Sequence, residues 1–166
     1  NSTILVQKGT EKVKEITFDL DTDGLLGVDL TVLADHITRG GITDMIWQQE
    51  PELILWFVGA DGALIGLTYD RANGTVGWHG HQLGDSGIVE SITAIPSGAE
   101  DQVYLSVKRT INSATVRHIV FLKSINFGSD ITDAFFVDSG LTYSGSATTT
   151  ITGLNHLEGE TVQILA

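Results

Sequence analysis

The chain has no cysteine, only nine basic residues, and no apolar run near the ~20 residues that cross a bilayer as a helix. Each shortage excludes something. Without cysteine there are no disulfide staples, no thiolate zinc sites and no cysteine nucleophile, while the compartment stays open. Gripping phosphates requires clustered Lys and Arg to displace counterions, and here they are scattered, with Lys108, Arg109 and Arg117 the nearest thing to a patch. Specific nucleic-acid binding and docking on anionic lipid are therefore not expected. No signal peptide is visible. A phosphate-cradling G-x-x-x-x-G-K-S/T loop and a G-x-S-x-G nucleophile elbow are both missing.

What is present is a 166-residue chain, 42% apolar, enough for one compact domain or two small ones with a buried core. Twenty-one acidic residues give a formal charge of −12. An acidic surface repels DNA and lets it slide past without sticking. The chain begins at Asn1 rather than Met and ends on the apolar run VQILA, so it reads as a piece of a longer polypeptide.

The patterning is that of β-structure. STILVQKG and KVKEITFDL each read as a strand of β-branched residues between polar bounds. DLDTDG (19–24) follows as a turn-rich loop. In DLTVLADHI, Asp29 is placed to cap a short helix with Val32, Leu33 and Ile37 at helical spacing, the one helix expected. From residue 42 the period becomes two. TDMIWQ is a strand, Pro51 falls in a connection, and ELILWFV is apolar on both faces, as a strand buried from both sides would be. GADG and DRANG are hairpin signals, since Gly, Asp and Asn tolerate the positive φ of tight turns. Between them ALIGLTY alternates, with Ala63, Ile65, Leu67 and Tyr69 on one face. TVGWHGHQL places Val76 and Trp78 on one side, and His79 and His81 on the other. GIVESITAI, QVYLSVKR and TVRHIVFLK give three more strands, with Val103, Leu105 and Val107 alternating with polar residues. Four strands in residues 42–83 match the length of a propeller blade, although two blades cannot close a ring. The Gly-, Ser- and Thr-rich remainder is expected to form short strands at AFFVDSG, TTTI and TVQILA. The expected organisation is thus mostly β: strands and a short helix in 1–41, blade-like antiparallel meanders in 42–124, and a small β module in 125–166.

Candidate sites are few. Asp19, Asp21, Asp23 and Gly24 match the opening of a calcium loop, but the twelfth position is Leu30 where a bidentate Glu belongs, and a polar turn explains the same residues. His79 and His81, two apart on a strand, share a face and could supply two metal ligands; further partners would have to come from distant positions such as His118 or Asp85. Outward-facing histidines need no such role. Tyr143-Ser144-Gly145-Ser146 and Asp138-Ser139-Gly140 are Ser/Gly loops with no adjacent histidine. No pair of carboxylates stands out for glycosidase work. Trp47, Trp56 and Trp78 would line a groove or fill a core, and on alternating strands packing is the expected use. No catalytic, cofactor-binding or metal-ligating residue is assigned.

Taken in order, FDLDTDGLLGVDLTVLADHIT, IWQQEPELILWFVGADGALIGLTYDR, GTVGWHGH, VESITAIP, DQVYLSVKRTIN, VRHIVFL, FVDSGLTYSG and ITGLNHLEGETVQILA resemble a family of large tailed-phage virion proteins, similar to the tail tubular or nozzle proteins of short-tailed phages. The resemblance covers most of the chain. It implies propeller-like lobes around a DNA channel, a symmetric homo-oligomer contacting other tail proteins in the virion, no enzymatic activity and no cofactor. The closing GLNHLEGETV is also similar to a half-domain segment of ubiquitin-activating enzymes; that chemistry requires a catalytic cysteine, so the likeness implies a small β-barrel-like module shared by fold only. The alternative from another class is a carbohydrate- or receptor-binding module on a virion appendage.

Overall fold

A computed structural model describes residues 2–84, 87–134, 136–137 and 139–164. Among these residues ten strands form three antiparallel meanders. The first sheet holds β1 (Ser2–Val6), β2 (Val13–Asp19) and β3 (Gly24–Asp29). The second holds β4 (Ile42–Gln48), β5 (Ile54–Gly59), β6 (Leu64–Asp70) and β7 (Thr75–His81). The third holds β8 (Ile88–Ser97), β9 (Glu100–Ile111) and β10 (Ala114–Phe121). Within each sheet every strand pairs with its neighbour in sequence, as the alternation and turn signals imply.

The second sheet lies between the other two, which is why β5 is apolar on both faces. Leu55 and Phe57 on β5, with Ile65, Leu67 and Tyr69 on β6, pack against Val13, Ile4 and Val6 of the first sheet. Trp56, Val58 and Leu64 point the opposite way and pack against Val89, Ile92, Val103, Leu105 and Val107 of the third. Register enforces the division, because Phe57 pairs with Ile65 while Val58 pairs with Leu64, so each cross-strand row serves one core. Successive meanders stacked face to face are the arrangement of neighbouring propeller blades, and these three sheets do not close a ring.

Turns act as joints. The GADG hairpin holds Gly62 at φ +83°, where a Cβ would stand 2.3 Å from Ile88. Its carbonyl accepts from Val89 N–H at 3.0 Å, tying the second sheet to the third. At the other end of these sheets, the Asp101 carboxylate accepts from Gln49 N–H and Glu50 N–H at 2.8 and 3.2 Å. Asn112 and Ser113 both adopt positive φ, the two-residue hairpin geometry whose twist suits the long β9–β10 ribbon.

Two expectations require correction. The segment expected to be a helix from Asp29 is helical only over α1 (Asp35–Thr38). Residues 24–29 continue the sheet, and the Asp29 carboxylate accepts from both the backbone N–H and the hydroxyl of Thr31, a local turn that competes with a helical start. Leu30 O is taken by Trp78 Nε1–H, and Val32 and Leu33 face solvent rather than a core. The second correction concerns residues 125–164: among the described residues the expected strands at AFFVDSG, TTTI and TVQILA are not formed, and the segment carries two single-turn 3-10 helices, Ile131–Asp133 and Asn155–Leu157. Parts of AFFVDSG and TVQILA lie outside the described residues. Among the described residues these short runs have no neighbouring strand to pair with, and a lone strand leaves its backbone groups unpaired. Among the described residues no helix is long and apolar enough to cross a membrane.

Candidate functional site

Two features stand out: an imidazole pair on β7 and the free edge of β3. β7 ends the second sheet, and the third sheet lies over β4 and β5 rather than over β7. The face carrying Trp56 would therefore be bare toward β7. Gly66, between Trp56 on β5 and His79 on β7 in one cross-strand row, has no side chain, and the His79 ring lies where its Cβ would be, 2.0 Å from His79 Cε1. His79 meets Trp56 edge to face at 5.7 Å between centroids, and His81 tilts onto the same indole at 5.0 Å.

The two histidines converge. His79 Nδ1 and His81 Nε2 are 2.7 Å apart, and His79 Nε2 is 3.2 Å from Thr68 Oγ1. Thr68 as donor or acceptor decides the tautomer of the pair. Partial burial against Trp56 lowers the pKa of both rings from 6.5, and His79 lowers that of the more exposed His81 further, so both favour the neutral form. His81 lines two clefts, of about 650 and 660 Å³.

The shared face of His79 and His81 is as the alternation implied. His118 is not part of it: it sits on β10, its ring 6.0 Å from His156. Asp85 and Asp138 lie outside the described residues. Among the described residues no group of three or more His, Cys, Asp or Glu side chains is arranged to hold a metal ion. In the 19–24 turn, Asp19 uses both carboxylate oxygens locally, on Asp21 N–H and the Thr22 hydroxyl. In the Tyr143–Ser146 loop the Tyr143 hydroxyl donates to Ser146 O at 2.8 Å, closing the loop on itself. The tryptophans pack: Trp56 is 5% exposed and donates to Gln48 Oε1, Trp78 stacks on Phe57 at 5.4 Å, and Trp47 is half-buried against the same core. The sparse basic patch is dispersed, with Arg109 buried and donating to Gly84 O, and Arg117 clasping Glu90 at 2.7 Å.

Sequence reasoning passed over a buried polar cluster. Glu15 is 5% exposed on the face of β2 that meets the second sheet, beside Tyr69. Burial, then the Glu15 carboxylate, pushes the Tyr69 phenol up to about 12. Arg71 Nη1 approaches Glu15 Oε1 to 3.2 Å as an ion pair rather than an aligned hydrogen bond. Parity would have revealed it, since Glu15 alternates in step with Val13 and Thr17.

The second feature is β3, an edge strand reading GLLGVD. Leu25, Leu26 and Val28 are all exposed, and among the described residues no backbone partner pairs with its outer side. Phe18, opposite Leu25, extends the exposed apolar surface. Edges of this kind template pairing with another chain unless blunted by charge, proline or a bulge.

No protein-family model matches the chain, and no curated protein matches it. Fold and site define a mostly-β protein of stacked antiparallel meanders, with an imidazole pair at one sheet margin and an unblunted apolar edge at another.

Proposed function

We propose that the chain is a structural part of a phage or prophage tail — tube, nozzle or hub — set in a symmetric oligomeric wall around the DNA passage. The observation that carries the reading is β3: an apolar strand with a free edge at one end of a three-sheet stack is suited to a neighbour's contact. Repeated heterologous contacts of that kind close into rings. The resemblance of the ordered segments to tail tubular and nozzle proteins supports the same role, with other tail proteins and further copies of the chain as partners. The acidic surplus suits a passage through which phosphates slide without sticking, and no specific nucleic-acid or membrane binding is part of the reading. Its work is mechanical, with no bond made or broken by its side chains.

A carbohydrate- or receptor-binding module would use tryptophan in an open groove, and the packing of all three tryptophans gives that alternative no support. The deciding experiment is electron microscopy and mass spectrometry of virions purified after induction of the encoding strain. The chain is expected in the particles as a ring of density in the tail. Particles that assemble normally without it would defeat the proposal.

A further inference from the structure

We propose that His79 and His81 form a bidentate site for a divalent late transition-metal ion with tetragonal preference, copper(II) foremost. The inference is independent of the tail reading. Three observations carry it.

The nitrogens are already converged. His79 Nδ1 and His81 Nε2 stand 2.7 Å apart on one face of β7. Two imidazole nitrogens bound at about 2.0–2.1 Å lie about 2.8–3.0 Å apart in adjacent square-planar positions, and about 3.3 Å apart in a tetrahedron. The separation is closer to the tetragonal value than to the tetrahedral one, and binding also requires the rings to turn, because the hydrogen bond between them aims one lone pair at the other ring's N–H rather than at a shared ion. The order of intrinsic affinities favours copper(II) as well.

The orientation is also fixed from behind. Thr68 Oγ1 lies 3.2 Å from the far nitrogen of His79, the position from which an outer partner sets the tautomer of a metal-binding imidazole. With Nε2–H donating to Thr68, Nδ1 carries the lone pair. In that tautomer the proton between the rings sits on His81 Nε2, and binding requires it on His81 Nδ1 instead. Both rings stay neutral and no net proton is lost.

Finally, the seat is built. Gly66 leaves the space the His79 ring fills, and Trp56 walls the pair on its inner side. His81 is exposed and lines the two clefts, which leaves the remaining coordination positions to water.

The test is titration of the chain with CuCl2, and in parallel with ZnCl2, following tryptophan fluorescence, because both rings touch Trp56. Saturable quenching by one copper(II) per chain is expected, with zinc at least tenfold weaker. His81→Gln, on an exposed side chain, should weaken copper binding at least tenfold, and Thr68→Val about tenfold through loss of the orienting hydroxyl. His118→Gln should leave it unchanged. Copper should also raise the melting temperature of the native chain and not that of the His81→Gln variant. Absence of saturable quenching, undiminished binding in His81→Gln, or loss of binding in His118→Gln would each overturn the proposal.

Discussion

Gly66 occupies the centre of the second sheet, where a side chain would normally add packing and its absence weakens a strand. Here the missing methyl is what admits the His79 ring over the backbone, and an added Cβ would lie 2.0 Å from it. Gly66→Ala is therefore expected to destabilise by about 1–3 kcal/mol, as overpacking does. Urea denaturation checks this, and the penalty should shrink in a His79→Ala background, where the ring is no longer there to be displaced. Glu15 makes the opposite case, a charge inside an apolar seam. Arg71→Ala strips its cation; with Arg71 itself facing solvent, the loss should be about 1–2 kcal/mol, below the roughly 3–5 kcal/mol of a fully buried pair. Glu15→Gln in the same background should recover most of it, and a double-mutant cycle reads the coupling. Alternation alone places Glu15 and Arg109 on buried faces, so both were legible in the sequence. The contact of His79 with Gly66 was not, because it depends on cross-strand register.

At the scale of the element, the strands of residues 42–123 follow from period two and from Gly-, Asp- and Asn-marked turns, and the structure places them as that pattern implies. β3 is not legible in this way because its sequence, GLLGVD, does not alternate: its apolar residues face both ways. In a buried strand that signifies two cores, as in β5. At an edge it signifies exposed surface awaiting cover. The stretch after it departs from the expected helix because Asp29 serves a turn as readily as a helix cap, and pairing with β2 makes the choice. The double change Leu25→Lys with Leu26→Lys tests what β3 is for. Both side chains are exposed, so stability should move by no more than about 0.5 kcal/mol. Self-association measured by analytical ultracentrifugation should fall at least tenfold, because a lysine-bearing edge repels a pairing strand. Unchanged association would show that the contact lies elsewhere.

Across the whole molecule, stability should trace a plateau in pH whose two ends have identifiable causes. His79 and His81 titrate below 6.5 when folded, so as pH falls below 6.5 the unfolded chain binds more protons and stability declines through their folded values. A second decline belongs to Asp29, Asp35, Asp70 and Glu90, whose carboxyls are lowered by Thr31, Lys12, Asn73 and Arg117 respectively; their contribution is intact above about pH 4.5 and lost as pH falls further. At the alkaline end Tyr69 is raised to about 12, so its contribution is complete below pH 10 and disappears as pH climbs toward 12. The Lys12–Asp35 pair adds to that limb, but it is partly exposed and salt weakens it. A net charge of −12 works against the first decline, because acid relieves the repulsion among carboxylates. Urea midpoints should therefore be measured from pH 4 to 11 in roughly 1 M salt, where the screening length is about 3 Å, and with a chelator present. The joint change His79→Gln with His81→Gln should flatten the limb between pH 6.5 and 4.5, and Tyr69→Phe should flatten the limb above 10. If the first limb survives without the two imidazoles, then the burial that holds them neutral is not what links this fold to acid.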